Sequence, residues 1–380
     1  MKIVYCIDSV YLLGGMEKVT IVKANALAKI PSNEVWVVVT DACDNSLIPL
    51  EGVHLVNLDV NYYDWGVGYL GFCKKRQLHK KRLTECLNRI MPDVVVATGK
   101  GEKYLVPYLK LVSKPVIIRE MHIAKYYRRM SVCGLKEKLF AWAGEIYEYH
   151  WNMKRYDHIV LLTEEDRERN WKGWKNISVI PNPITSVCEE KSTCTVRTAI
   201  AVGRLADQKD FAALVRIWRR VTERHPDWRL EIWGTGELRM ALQQQIKALD
   251  LENKVFLMGF TSEPLIKMSQ ASIYLLSSKC EGLPLVMIEA MSVGLPVVSY
   301  MCPTGPKDII DDGKTGFLVP LGDEDTFVDR VCMLIEDERL RKDMGQAAQR
   351  GVEQYRIEKI IQRWMALFQE LLAKEKHNAY

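Results

Sequence analysis

The chain has 380 residues, nearly half of them apolar, and a formal charge of +5 at neutral pH. That length exceeds what one ordinary hydrophobic core serves, so two domains of comparable size are expected, and the mildly basic balance suits an anionic ligand or membrane surface without requiring nucleic acid. Ten cysteines without a Cys-x-x-Cys pair, zinc-like spacing or secretory leader read as reduced, mostly buried thiols, and no apolar run approaches the roughly 20 residues of a membrane span, so a cytoplasmic chain is expected.

Taken in chain order, short β-branched runs at 2–7, 34–40, 93–97, 115–118, 158–162 and 178–180 alternate with longer amphipathic segments. Several runs are continuously apolar, the mark of parallel strands covered on both faces, so the first 185 residues read as a βαβ series. After Pro181-Asn182-Pro183 the composition turns polar and aperiodic, and 186–197 reads as a linker. The alternation restarts with a strand at 199–202, a helix at 211–224, and strands at 229–233, 255–257, 273–276, 296–299 and 316–319. From about Thr326 the chain reads as helical, ending in a long amphipathic segment over 357–372. Two doubly wound halves are expected: domain 1–185, linker 186–197, domain 198–355, and a final segment 356–380.

Two carboxylates and two cations stand out. Glu281 lies in the loop before a helix that Pro284 can open in its first turn, and Glu289 follows eight positions later inside that helix, so both can face one cleft. Gly203, Arg204 and Lys209 follow a strand directly, where ligands of open α/β sheets bind. Arg204 can grip phosphate oxygens as a fork and Lys209 as a point charge, and together they can neutralise a departing diphosphate in place of a divalent metal. Gly234-Thr235-Gly236 suits either a nucleotide-binding turn or a tight strand-to-helix turn, with Arg239 where a dinucleotide fingerprint has its last small residue. Phe260, after Met258-Gly259, can line a base pocket or pack in a core. Gly14-Gly15 follows the first strand and suits either a plain turn or a loop that leaves helix N–H groups free for an anion or hydroxyl. His122 closes another strand, at the ligand edge, where it suits either a structural role or an acceptor-site contact. Basic residues at 74–76, 80–82 and 125–129, beside Tyr62, Tyr63, Trp65, Tyr69 and Phe72, suit an anionic membrane interface or a solvated helix face.

These residues resemble glycosyltransferase family 4, retaining enzymes of the GT-B fold found in bacterial polysaccharide biosynthesis. The resemblance is carried by Ala201-Val202-Gly203-Arg204 with Lys209, Trp233-Gly234-Thr235-Gly236, Glu281-Gly282-Leu283-Pro284 to Glu289-Ala290-Met291, Gly294-Leu295-Pro296-Val297-Val298, and 305–320. It extends more loosely through Gly14-Gly15, His122 and 179–183, and Asp308 stands where many relatives have Glu. It implies an α/β architecture of two Rossmann-like domains facing across a cleft, with the C-terminal helix returning to the N-terminal domain. The second domain would bind the nucleotide-sugar donor and the first a saccharide or lipid-linked acceptor. Arg204 and Lys209 would hold the diphosphate, Glu289 the ribose and Glu281 the transferred sugar, with His122 meeting a sugar from the other domain; Gly282, Leu283 and Pro284 complete the donor loop. No metal or other cofactor is implied. The loop Cys302-Pro303-Thr304-Gly305-Pro306 looks like that of UDP-sugar users. A nucleotide-sugar 2-epimerase or a non-catalytic nucleotide-sugar-binding relative would share this architecture.

Overall fold

The computed structural model describes residues 1–10, 15–41, 49–62, 68–99, 101–123 and 134–378. The chain divides into two compact units, Met1–Thr185 with Ile357–Tyr380, and Ser186–Arg356.

The first unit carries seven parallel strands, β1 (Lys2–Ile7), β2 (Glu34–Val39), β3 (Val53–Asn57), β4 (Val94–Ala97), β5 (Val116–Glu120), β6 (His158–Leu161) and β7 (Ile177–Val179), in the order β3-β2-β1-β4-β5-β6-β7. Its described helices are α1 (Gly15–Ala28), α2 (Gly68–Ile90), α3 (Leu135–Ile146), α4 (Glu164–Asn170) and, from the end of the chain, α12 (Ile357–Asn378). Strand side chains alternate between the two faces of a sheet, and in β1 both sets are apolar. Ile3, Tyr5 and Ile7 pack with Ile21 and Leu27 of α1 and with Ile360, Trp364 and Phe368 of α12. Val4 and Cys6 pack on the opposite face with Leu83 and Leu87 of α2 and with Met153. The sequence pattern does not announce β3; it is an edge strand whose Leu55 stays exposed, so it lacks a continuous apolar run.

The second unit repeats the plan with six parallel strands, β8 (Thr198–Val202), β9 (Arg229–Trp233), β10 (Val255–Gly259), β11 (Ile273–Leu276), β12 (Val297–Tyr300) and β13 (Gly316–Val319), in the order β10-β9-β8-β11-β12-β13. Between and after them come α5 (Phe211–Arg224), α6 (Arg239–Ala248), α7 (Pro264–Ser269), α8 (Leu285–Ser292), α9 (Pro306–Ile309), α10 (Glu324–Glu336) and α11 (Glu338–Gly351). Leu214, Ile217, Trp218 and Val221 recur at helical spacing along α5 and bury one face against Leu230 and Ile232 of β9 and Phe327 and Val331 of α10. Asp210 caps α5, its carboxylate accepting from the Ala213 N–H at 3.3 Å.

The stretch 186–197 is not a free tether. Ser192 N–H donates to the Val293 carbonyl at 2.8 Å, Cys194 is buried, and the Arg341 Nε donates to the Cys194 carbonyl at 2.7 Å. Its polar, aperiodic sequence reflects anchoring by main-chain hydrogen bonds rather than by an apolar face.

Candidate active site

In the second sheet the strand order reverses between β8 and β11, so the loops leaving their carboxyl ends, 203–210 and 277–284, diverge at the switch point where open α/β sheets hold ligands. The loops are laced together. Lys279 N–H donates to the Gln208 carbonyl at 2.8 Å, Gln208 Nε2 to the Cys280 carbonyl at 2.9 Å, and Ser277 Oγ to the Lys209 carbonyl at 2.8 Å. Across this lacing Lys209 Nζ lies 2.7 Å from Glu281 Oε1, both side chains largely shielded from solvent. A charge-assisted bond of that length fixes the ammonium and leaves its other two hydrogens for a ligand. Lys279, which no sequence signal marks, adds a second cross-loop pair with Asp207 at 2.6 Å. Arg204 is exposed and has no ion pair among the described residues.

The glycines make this closeness possible. A Cβ on Gly203 would lie 3.1 Å from Lys209 Cε, so the lysine stem runs over a bare backbone. Gly234, at φ 144°, leaves no room for a side chain, because its Cβ would stand 1.9 Å from the Gly203 carbonyl oxygen. Gly203 N–H donates to the Trp233 carbonyl and Leu205 N–H to the Thr235 carbonyl, both at 2.9 Å. The 234–236 turn therefore backs the 203–205 loop, and Gly236 fits flush against Leu205 for the same reason.

Pro284 is the residue before α8 rather than part of its first turn. Leu283 and Pro284 are buried, and Gly282 with Pro284 receives Gly305, which a Cβ would drive to 2.5 Å from Pro284 Cδ. Next to it the buried, β-branched Thr304 adopts φ 61°, a conformation rare for such residues. Its hydroxyl donates to the Glu281 carbonyl, so loop 301–306 holds the Glu281 backbone. Glu289 is buried in α8. The phenol of Tyr274, which donates to the Val202 carbonyl at 3.4 Å, is pushed up by burial and then by the charges of Glu281 and Glu289. Phe260 lies exposed just past β10, beside the backbone bridge that joins Gly234 to Gly259.

In the first unit Gly15 opens α1, while Gly14 lies outside the described residues. His122 follows β5 by two residues, with Nε2 3.5 Å from Glu120 Oε1. Glu120 also takes the fully buried ammonium of Lys23, which stands 4.8 Å from the Trp364 ring centre. Burial alone would raise the Glu120 carboxyl, but Lys23 and His122 override it and hold the group at about 2. A second cluster gathers Asp8 after β1 and Glu102 after β4. Asp8 accepts from the Gly101 N–H at 3.1 Å, the Thr40 hydroxyl donates to Glu102, and His79 Nε2 lies 3.9 Å from that carboxyl. Burial and then Asp8 push Glu102 up to about 8, and burial pulls His79 down to about 4. Asp8 and Glu102 are legible as residues just past strands; Lys23 and His79 sit inside helices and give no signal. Among the described residues no three His, Cys, Asp or Glu side chains gather as a metal ion requires. The basic stretch 74–82 is partly occupied: Lys75 donates to the Asn61 carbonyl and Arg82 to the Leu58 and Asp59 carbonyls. Tyr63, Trp65 and 125–129 lie outside the described residues.

Residues 190–351 match the family model described as glycosyl transferases group 1. An uncharacterized glycosyltransferase of Haemophilus influenzae is 30% identical over 374 residues, 96% of this chain and 99% of that protein. The poly(ribitol-phosphate) alpha-N-acetylglucosaminyltransferase of Staphylococcus aureus is 27% identical over 220 residues, 57% of this chain and 45% of its own. Among solved structures, Anabaena HepE in complex with UDP superposes with a TM-score of 0.75 at 17% identity, over 97% of this chain and 100% of that one.

Proposed function

The chain belongs to the group 1 glycosyl transferases and has the GT-B fold, and from that premise we propose that it moves a hexose or N-acetylhexosamine from a UDP-sugar, with retention, to a polysaccharide or lipid-linked oligosaccharide precursor at the cytoplasmic face of a membrane. The observation that carries this reading is the Lys209–Glu281 pair at the switch point of the second sheet, 2.7 Å across two loops. Lys209 and Arg204 hold the diphosphate and neutralise the charge that grows as the sugar C1–oxygen bond breaks, with no metal required. Glu281 accepts from the sugar hydroxyls, Glu289 from the ribose, and Phe260 forms one wall for the base. The acceptor oxygen bonds to C1 from the leaving-group side and its proton passes to a donor phosphate oxygen. The first unit is assigned the acceptor, with His122 as its proposed sugar contact. Two similarities support the choice of donor and outcome: HepE was solved with UDP, and the Staphylococcus relative is named for an α-linked product, which an α-linked donor gives with retention.

A thermal-shift panel tests the donor assignment, since a ligand of the folded state raises apparent stability. UDP is expected to shift the parent more than GDP or ADP, and Lys209→Ala is expected to lose the shift and all transfer. A larger shift with GDP, or transfer by Lys209→Ala, overturns the assignment. Incubation with UDP-N-acetylglucosamine alone must leave C2 unchanged, which separates transfer from epimerisation.

A further inference from the structure

The segment from α3 through residue 155 packs Ala141, Tyr149 and Met153 inward but also buries polar side chains and exposes large apolar ones. Its polar Glu145, Glu148 and Asn152 are buried, Glu148 accepting from Lys103 at 2.5 Å and from the Tyr104 hydroxyl at 2.9 Å. Its large apolar side chains Leu139, Phe140, Trp142, Tyr147 and Trp151 point outward instead, Phe140 exposed to 78% and Trp151 to 66%. Nowhere else among the described residues do five large apolar side chains open to solvent within so short a stretch. A helix face of that kind in water marks a missing partner.

The composition says which partner. Between 134 and 155 the exposed charged side chains are Lys136, Glu137, Lys138, Lys154 and Arg155, all but one basic. Glu137, the exception, accepts from the Gly134 N–H at 3.1 Å. Tryptophan, tyrosine and phenylalanine beside lysine and arginine are the side chains that settle at the boundary between headgroups and acyl chains. A second copy of the chain on this face would set two basic rims against each other. We propose that the Leu139–Trp151 face docks on an anionic lipid bilayer, with Phe140 and Trp151 entering the headgroup layer and Lys136, Lys138 and Lys154 on the lipid phosphates. This deepens the membrane part of the proposed function and moves it from the basic stretch 74–82, where Lys75 and Arg82 already serve neighbouring carbonyls.

The full chain is mixed with phosphatidylcholine vesicles, with or without phosphatidylglycerol, and the bound fraction is read by flotation without donor or acceptor. Binding is expected only with phosphatidylglycerol and is expected to weaken with salt. Phe140→Ser with Trp151→Ser should lower the partition coefficient about tenfold or more. Lys136→Glu with Lys154→Glu should lower it by about fivefold or more per residue. All four positions are exposed, so melting temperature and the UDP shift should match the parent. The proposal is overturned if the parent does not float with anionic vesicles, if it floats equally with neutral ones, or if the aromatic variant binds like the parent. It is also overturned if sedimentation shows a parent dimer that the aromatic variant dissolves while vesicles stay bare. An intact UDP shift beside failed flotation leaves the transfer reading standing.

Discussion

Glu281→Gln should separate donor binding from turnover, and in opposite directions. The carboxylate lies 2.7 Å from the Lys209 ammonium. A diphosphate oxygen bound on the far side of that ammonium would then stand about 5 Å from the carboxylate, given ordinary charge-assisted bond lengths. Two like charges at that separation repel by about 3 kcal/mol at an effective dielectric of ~20 and by about 1 kcal/mol in water. The pair is largely shielded from solvent, so the lower figure is a floor, and removal of the repulsion should tighten UDP by at least about fivefold. The amide oxygen of glutamine still accepts from Lys209, and Thr304 still holds the backbone through the residue 281 carbonyl, so the ammonium stays in place. The transferred sugar, however, loses a charged acceptor that strengthens as positive charge develops at C1, and turnover should fall about 100- to 1,000-fold. Isothermal titration with UDP and the rate of UDP release from the accepted donor read the two effects. If UDP binding weakens together with turnover, Glu281 acts by holding the cation rather than the sugar and the division of roles fails.

Gly234→Ala should abolish the UDP shift and lower the melting temperature, because its Cβ would collide with the Gly203 carbonyl; Gly173→Ala, at φ 85° with nothing within 4 Å, should cost only about 1 kcal/mol. If the two behave alike, the 234–236 turn does not support the phosphate loop. Lys23→Met should destabilise the chain by about 3–5 kcal/mol in urea titration by leaving Glu120 buried and unneutralised, whereas adding Glu120→Gln should recover much of that loss. A double variant no better than the single one would show that packing, not charge, holds the site. Glu102 keeps its proton up to about 8 in the folded chain against an ordinary value of 4.5, so the native state binds more protons between those limits. Stability is then full below pH 4.5 and falls as pH rises toward 8. The parent is compared with Glu102→Gln, which should be relatively more stable by about 4 kcal/mol at pH 8 than at pH 4.5. A difference that is flat with pH would contradict the burial of that carboxyl.

What is legible in the sequence follows from how far each interaction reaches along the chain. β8, β11 and β12 announce themselves because buried parallel strands are apolar without interruption, and α5 because Leu214, Ile217, Trp218 and Val221 share one face. β3 does not, since an edge strand half open to solvent needs no such run; its His54 instead stacks on Trp36 of β2 with ring centres 4.3 Å apart. In the site, Lys209, Glu281 and Glu289 can be singled out because each stands just beyond a strand or within the next helix. Tyr274 cannot, since nothing in a strand of alternating faces marks one phenol as the hydroxyl that bonds the Val202 carbonyl of the neighbouring strand.

The buried clusters of the first unit depend on strand order, which local pattern leaves open. Lys23 meets Glu120 only because β1 and β5 flank β4 and α1 lies over the face that Tyr5 and Ile118 share. Glu102 meets Asp8 only because β4 pairs directly with β1 in parallel register, Ile3 against Val94. The same topology explains why both units expose chemistry at the same place. A sheet that grows outward in both directions from its first strand must drive neighbouring loops away from each other there, and the chain fills the two resulting crevices differently. One holds a cation–carboxylate pair with an exposed arginine nearby, suited to a diphosphate. The other holds Asp8 beside Glu102, a buried carboxyl that burial and then Asp8 push up to about 8.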